Sequence, residues 1–151
     1  MMKKTFFAGL MLAFFAFSGC STFAAMECPY VIEKPHVVLG KVSGKHNFAG
    51  AYFNVFNDSQ KRVDSLTFSF MVYDKDGQNP FVGSNNIVSR CDDFIEASSA
   101  KEFCVNLDSY LSVVPDEPYL IDFLYLREIH YSDGSSWSDP FGMYASREVF
   151  E

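Results

Sequence analysis

The feature of this sequence that most constrains its fold is a hydrophobic pattern with a period of two residues. Every second residue from Leu66 to Val72 is apolar, and the residues between them are mostly small or polar. A second alternation runs from Tyr119 to Tyr125. Successive side chains of an extended strand point to opposite faces, so this period predicts strands that each bury one face. β-Branched and aromatic residues dominate both runs, which favours sheet over helix.

Turn residues divide the remaining chain at short, regular intervals. Examples are Asn57-Asp58-Ser59, Asp74 to Gly77, Pro115 to Pro118 and Asp133-Gly134. The strands predicted between them are 36–43, 48–57, 63–74, 86–94, 101–108, 119–131 and 135–139. Only Leu107 to Val114 permits a helical turn. We therefore predict an all-β fold, a single immunoglobulin-like antiparallel β-sandwich of about seven strands that follows an N-terminal signal peptide.

The amino end has the organisation of an export signal. Lys3 and Lys4 precede an uncharged run from Phe6 to Phe17, which is shorter than a membrane span. The tetrapeptide Phe17-Ser18-Gly19-Cys20 then resembles a bacterial lipobox. The resemblance implies a signal peptide at 1–19 and lipidation with palmitate-type acyl chains at Cys20. The segment 20–35 shows no periodicity and contains Pro29 and Pro35, which suits a tether, and the alternation from His36 onward places the sandwich at 36–151.

Two other fates of this segment remain open. Cleavage after Ala24 would release a periplasmic or secreted protein, and the run from Phe6 to Ala25 could stay as an uncleaved anchor. Under the lipobox interpretation, Ser21 favours the outer membrane of a bacterial cell envelope.

The charge of the chain limits its partners. The formal net charge is −7, and removal of Lys3 and Lys4 with the signal peptide makes it −7 − 2 = −9. Binding to phosphates needs clustered positive charge, so no nucleic acid is expected as a partner. Acyl chains can hold an acidic protein on a bilayer without help from its charge.

Three cysteines remain if Cys20 carries lipid. Cys91 and Cys104 lie symmetrically about Ala97-Ser98. A two-residue hairpin centred there would place the two cysteines opposite each other, so we predict a disulfide bond between them. Two free thiols, or a bridge to Cys28, are the alternatives.

The pentapeptide Phe70-Met71-Val72-Tyr73-Asp74 resembles the motif of the FxLYD domain, a small β-sandwich of exported bacterial and archaeal proteins. Val72 replaces the usual Leu. The resemblance covers roughly residues 48–106, and it implies a sandwich fold and an exported location without implying any chemistry.

No catalytic, metal-binding or cofactor-binding pattern stands out in the sequence. His36, His46 and His130 lack metal-ligand spacing, and Asp74 to Asn85 fails the pattern of an EF-hand loop. We therefore expect no enzyme, no cofactor and no metal site.

The candidate binding surface is a set of tyrosines that could face solvent together, in competition with burial under a second sheet. Its members are Tyr52, Tyr73, Tyr125 and Tyr131. The function predicted from the sequence is that of a lipid-anchored, non-enzymatic interaction or structural accessory module that contacts another envelope or host protein. The alternative is a carrier of a small ligand or metal.

Overall fold

The computed structural model describes residues 27–111, 113 and 116–145, which form two antiparallel β-sheets. Seven strands follow one another along the chain: β1 Tyr30–Val42, β2 Lys45–Asn57, β3 Val63–Tyr73, β4 Asn86–Cys91, β5 Ala100–Asn106, β6 Leu120–Tyr131 and β7 Ser136–Ser138. A 3-10 turn, Asp108–Tyr110, follows β5 and lies within the segment predicted to allow a helical turn.

The strand order confirms the predicted sandwich of seven strands. One sheet has the order β1-β2-β5, and the other has the order β4-β3-β6-β7. The fourth strand pairs with β3, whereas in the constant-type immunoglobulin fold it joins the sheet of the first two strands. Consequently β4 and β5 are edge strands of different sheets.

The core lies between the two sheets and is filled by large side chains. Phe53 of β2 meets Phe68 of β3 edge-to-face, with ring centroids 4.6 Å apart, and Phe70 and Phe103 pack against this pair. Trp137 of β7 is buried in the core, and its ring contacts that of Tyr30 with centroids 5.6 Å apart. Such offset ring pairs add to the stabilisation from burial.

Strand β6 departs from the alternation that the sequence predicted. Phe123 has a positive φ of 54°, and the pairing with β3 is irregular there and again at Arg127. Each extra residue reverses the face of the side chains that follow. Leu124 and Leu126 are therefore buried in the core, whereas the sequence predicted Phe123 and Tyr125 on the same face as Ile121.

The predicted hairpin between Cys91 and Cys104 is wrong. Cys91 ends β4 and pairs with Leu66 of one sheet, while Cys104 lies opposite Tyr52 in the other. Both thiols are free, so the predicted disulfide bond is absent from this structure. The connection cannot fold into a hairpin because Ile95, 2% exposed, bridges back to Val63 before the chain crosses to the second sheet.

Strand β1 begins at Tyr30, six residues before the predicted start, in a segment expected to be tether. The pairing with β2 is irregular between Glu33 and His36, where Lys34 has a φ of 56° and Pro35 follows. An irregular, proline-containing edge strand is protected against uncontrolled pairing. The proposed lipidation site, Cys20, lies outside the described residues.

Candidate interaction surfaces

The four tyrosines of the predicted binding surface do not form one surface. Tyr52 lies on the three-stranded sheet, whereas Tyr73, Tyr125 and Tyr131 belong to the four-stranded sheet. Tyr125 and Tyr131 are 7% and 8% exposed, and Tyr73 is half-buried with its hydroxyl 3.2 Å from the Met71 sulfur. The predicted tyrosine stripe is therefore wrong, because its members are divided between two sheets and two of them are buried.

Tyr52 is the centre of an aromatic cluster on the outer face of the three-stranded sheet. His36 of β1 is its direct cross-strand neighbour, and their rings stack with centroids 5.7 Å apart. Phe48 packs edge-on against Tyr52 at 6.3 Å. On the other side, the Tyr52 hydroxyl contacts the thiol of Cys104, and this hydrogen bond raises the pKa of the tyrosine.

Gly50 allows Phe48 to reach this cluster. A Cβ atom at position 50 would lie 2.5 Å from Cζ of Phe48 and 2.8 Å from Sγ of Cys104, both inside van der Waals contact. The Phe48 ring thus lies directly over the backbone of Gly50 and covers a strand position that has no side chain. This arrangement is an aromatic ring protecting a glycine within a sheet.

Further apolar side chains extend the cluster along the same sheet face. Val31 pairs with Phe56, and Val38 pairs with Gly50, so all of them point away from the core. Val31 is 47% exposed and Val38 is 39% exposed. We call this surface the aromatic face; it consists of Val31, His36, Val38, Phe48, Tyr52 and Phe56.

A small cavity opens at the flank of the sandwich where the described chain begins. Its volume is about 190 Å³, and its lining comes from the start of β1, from β6 and from the C-terminal segment. The lining residues are Cys28, Tyr30, Val31, Ile32, Leu124 and Tyr144. Below it, the Tyr30 hydroxyl accepts a hydrogen bond of 3.0 Å from the backbone N–H of Leu126, which ties β1 to the opposite sheet.

The thiol of Cys28 borders this cavity, and its surroundings favour the protonated, unreactive form. It donates a hydrogen bond to the carbonyl of Tyr30 at 3.3 Å. Burial raises the pKa of Cys28, and the carboxylates of Asp139 and Asp58 raise it further. A nucleophilic cysteine needs a lowered pKa, so this environment disfavours a reactive thiolate.

Sequence reasoning missed one polar pair, which joins His46 to Asp108. Nε2 of His46 lies 3.0 Å from Oδ1 of Asp108, and the same oxygen accepts the backbone N–H of Ala49 at 2.8 Å. The pair fixes the 3-10 turn after β5 onto β2. Sixty-two positions separate the two residues, so no local sequence signal could have joined them.

The motif that suggested the FxLYD resemblance has a structural role here. Phe70 and Val72 are buried core residues. Asp74 closes the following turn, because its Oδ1 accepts the N–H groups of Asp76 and Gln78 at 3.0 and 2.8 Å. Gly77 supplies the positive φ of 73° that the turn needs.

Other functional signals were sought among the described residues alone. Within them, no three His, Cys, Asp or Glu side chains come together as a metal-ion site requires. In the same part of the chain, no helix has the length and apolar character needed to span a bilayer.

Comparison with known proteins extends the fold assignment and nothing further. No protein-family model matches the sequence, and no curated protein matches it. The chain is similar to a solved structure described as a hypothetical protein from Peptoclostridium difficile 630, with a TM-score of 0.56 and 12% identity. The alignment covers 81% of this chain and 94% of that chain. This likeness supports the sandwich fold.

Proposed function

We propose that this protein is a lipid-anchored lipoprotein of the bacterial cell envelope with an FxLYD-like sandwich domain, and that it acts without catalysis as a protein-interaction or accessory module. The anchor is Cys20, and the outer membrane is the proposed location. The recognition surface is the aromatic face. The observation that carries the proposal is the half-exposed cluster of His36, Phe48 and Tyr52 on an open sheet face.

The composition of the aromatic face suits a protein partner. Aromatic residues are enriched at protein interfaces and contribute a large share of their binding energy. The cluster is preorganised, because Phe48 is seated over Gly50 and Tyr52 is held between His36 and Cys104. Rigid aromatic groups lose little conformational entropy when they bind.

The flank cavity is smaller than the usual site of a small-ligand carrier, the alternative function. Sites for small molecules generally measure about 300–1,000 Å³ and are lined by a few convergent polar groups. The cavity beside Cys28 has a volume of about 190 Å³ and a mostly apolar lining. It could enclose little more than a single ring, since a cavity of about 150 Å³ accommodates benzene.

Site-specific photo-crosslinking in the intact envelope tests the interaction. A photoreactive amino acid replaces Val38 on the aromatic face or, as the control, Val88 on the outer side of β4. The two valines are 39% and 44% exposed, so they differ chiefly in the sheet to which they belong. We expect a discrete protein adduct from position 38 and none from position 88.

A second substitution determines whether the adduct depends on the aromatic cluster. Phe48→Ala removes the ring over Gly50 from a half-exposed site, and we expect the position-38 adduct to fall at least severalfold while the fold is retained. Equal adducts from positions 38 and 88, or an adduct that is insensitive to Phe48→Ala, would contradict the assignment of the aromatic face.

A further inference from the structure

A rigid turn after β7 presents two large apolar side chains to solvent. Phe141 and Met143 are 82% and 81% exposed, while Gly142 between them is buried. Isolated apolar residues on a surface need no explanation. Here, however, two such residues stand two positions apart on a segment that is fixed to the sandwich at several points.

Hydrogen bonds fix this turn at both ends. Asp139 is 4% exposed, and its backbone N–H donates to the carbonyl of Arg127 at 2.9 Å. Its carboxylate accepts the backbone N–H of Tyr144 at 3.0 Å. The N–H of Ala145 donates to the carbonyl of Gly142 at 3.2 Å, which closes the turn.

The backbone of Gly142, in the middle of the turn, packs directly against two aromatic rings of β6. It has a φ of 68°, and a Cβ atom there would lie 2.9 Å from Phe123 and 3.0 Å from Tyr125. This close contact buries the glycine backbone against the sandwich, while the side chains on either side of it are exposed. The fold therefore holds Phe141 and Met143 outward in a fixed geometry.

The chain enters the sandwich on the same flank. Cys28 and Tyr144 line one cavity, so the point of entry and the C-terminal turn are neighbours. Eight residues separate Cys28 from Cys20, and they can span at most about 28 Å. A lipid at Cys20 would keep this flank close to the bilayer. Val42, at the other end of β1, lies twelve residues beyond Tyr30, a distance of about 40 Å along an extended strand.

We propose that Phe141 and Met143 insert into the lipid bilayer and form a second membrane contact beside the acyl anchor. The proposal rests on the proposed function, because the short tether from Cys20 brings the turn to the membrane. Apolar insertion suits a mature chain of net charge −9, which cannot be attracted to anionic lipid. The contact would orient the sandwich with its β1–β7 flank toward the membrane.

Quenching of tryptophan fluorescence by brominated phosphatidylcholine tests the proposal. The full chain, processed in its host, is reconstituted into these vesicles as Phe141→Trp and, as the control, as Val42→Trp. Position 42 is 60% exposed at the far end of β1. The native Trp137 is buried and gives the same background in both variants. We expect at least twofold stronger quenching of the new tryptophan at position 141 than of that at position 42.

Intact mass and vesicle flotation separate failure of this inference from failure of the anchor. If the chain is acylated and floats with vesicles but position 141 is quenched no more than position 42, the bilayer contact is refuted and the anchor stands. If the chain is not acylated, the anchor fails, and the same comparison with added vesicles still decides the contact. Equal tryptophan emission at position 141 with and without vesicles would overturn the proposed bilayer contact. The exposed turn would then be assigned to a protein partner.

Discussion

Asn57 at the end of β2 is expected to be a main determinant of stability at the end of the sandwich where β1 begins. The residue is 2% exposed. Its Nδ2 donates to the carbonyls of Lys61 at 2.7 Å and Glu96 at 3.0 Å, and its Oδ1 accepts the N–H and hydroxyl of Ser59. One side chain thereby joins the β2–β3 connection to the β4–β5 connection.

The cost of Asn57→Ala follows from these contacts. Each hydrogen bond contributes about 1 kcal/mol net, and a buried carbonyl that loses its donor costs about 1–3 kcal/mol. In the variant, the Ser59 hydroxyl loses Asn57 as its acceptor and can donate instead to the Lys61 carbonyl, 3.1 Å away. The Glu96 carbonyl loses its side-chain donor. We therefore expect the free energy of unfolding to fall by about 2–4 kcal/mol.

Asn57→Asp sharpens the test because it preserves shape. An ionised aspartate keeps the acceptor for Ser59 but offers no donor, and its charge faces the carbonyls of Lys61 and Glu96. It should be at least as destabilising as Asn57→Ala at neutral pH. Asn54→Ala is the matched control, since Asn54 is a half-buried residue on the outer face of the same strand.

Urea unfolding followed by circular dichroism measures these differences. With a slope of about 2 kcal/mol per molar urea, the middle of the usual range, Asn57→Ala should lower the midpoint by about 1–2 M with an unchanged slope. The reasoning is refuted if Asn57→Ala and Asn54→Ala unfold within about 0.5 kcal/mol of each other, because the junction would then contribute no more than a surface position.

Three further predictions concern separate parts of the fold. Gly142→Ala should destabilise the protein by more than Gly44→Ala in thermal melts, because both have positive φ but only position 142 also meets aromatic rings; equal losses would contradict this. The bond from Lys61 holds the pKa of Asp133 below its ordinary value, so its stabilising contribution is present above about pH 4 and is lost as pH falls through the folded-state pKa. In Asp133→Asn, the free energy of unfolding should therefore depend less on pH below about pH 4. An unchanged pH dependence would contradict a stabilising role for the Lys61–Asp133 pair. The Cys91→Ser variant and the wild type should each melt at the same temperature with and without reductant, because both thiols are free. A wild-type melting temperature that falls in reductant would contradict this and support the disulfide bond predicted from the sequence.

The positions of most strands were predictable because local residues set them. Alternation identified β3 from Leu66 to Val72, and turn chemistry placed its end at Asp74, so the predicted span of 63–74 closely matches Val63–Tyr73. The glycine of the last predicted turn, Gly134, has the expected positive φ of 83°. Such signals need no information about the other sheet.

What could not be predicted depends on contacts between distant segments. The spacing of Cys91 and Cys104 is compatible with a hairpin, and only the bridge between Ile95 and Val63 shows that the chain crosses between sheets. The irregularity at Phe123 moved Tyr125 from its predicted face, because one extra residue reverses a strand's register.

The candidate site was predictable only at Tyr52. Tyr52 was one of the four candidate tyrosines and is half-exposed on the sheet face, but its partners come from elsewhere in the sheet. His36 stacks on it from β1, and Cys104 contacts it from β5. The ring of Phe48 reaches it only because position 50 is glycine. A sequence without an assigned strand register cannot reveal such a cluster.

The measurement that tests the central claim most directly is the intact mass of the protein extracted from its native membranes. A lipid-anchored module predicts a mass equal to residues 20–151 plus acylglycerol and fatty acid on Cys20. With free Cys28, Cys91 and Cys104, that mass should not change on reduction. An unmodified chain that begins at Ala25 would contradict the account, because the protein would then have no lipid anchor on the envelope.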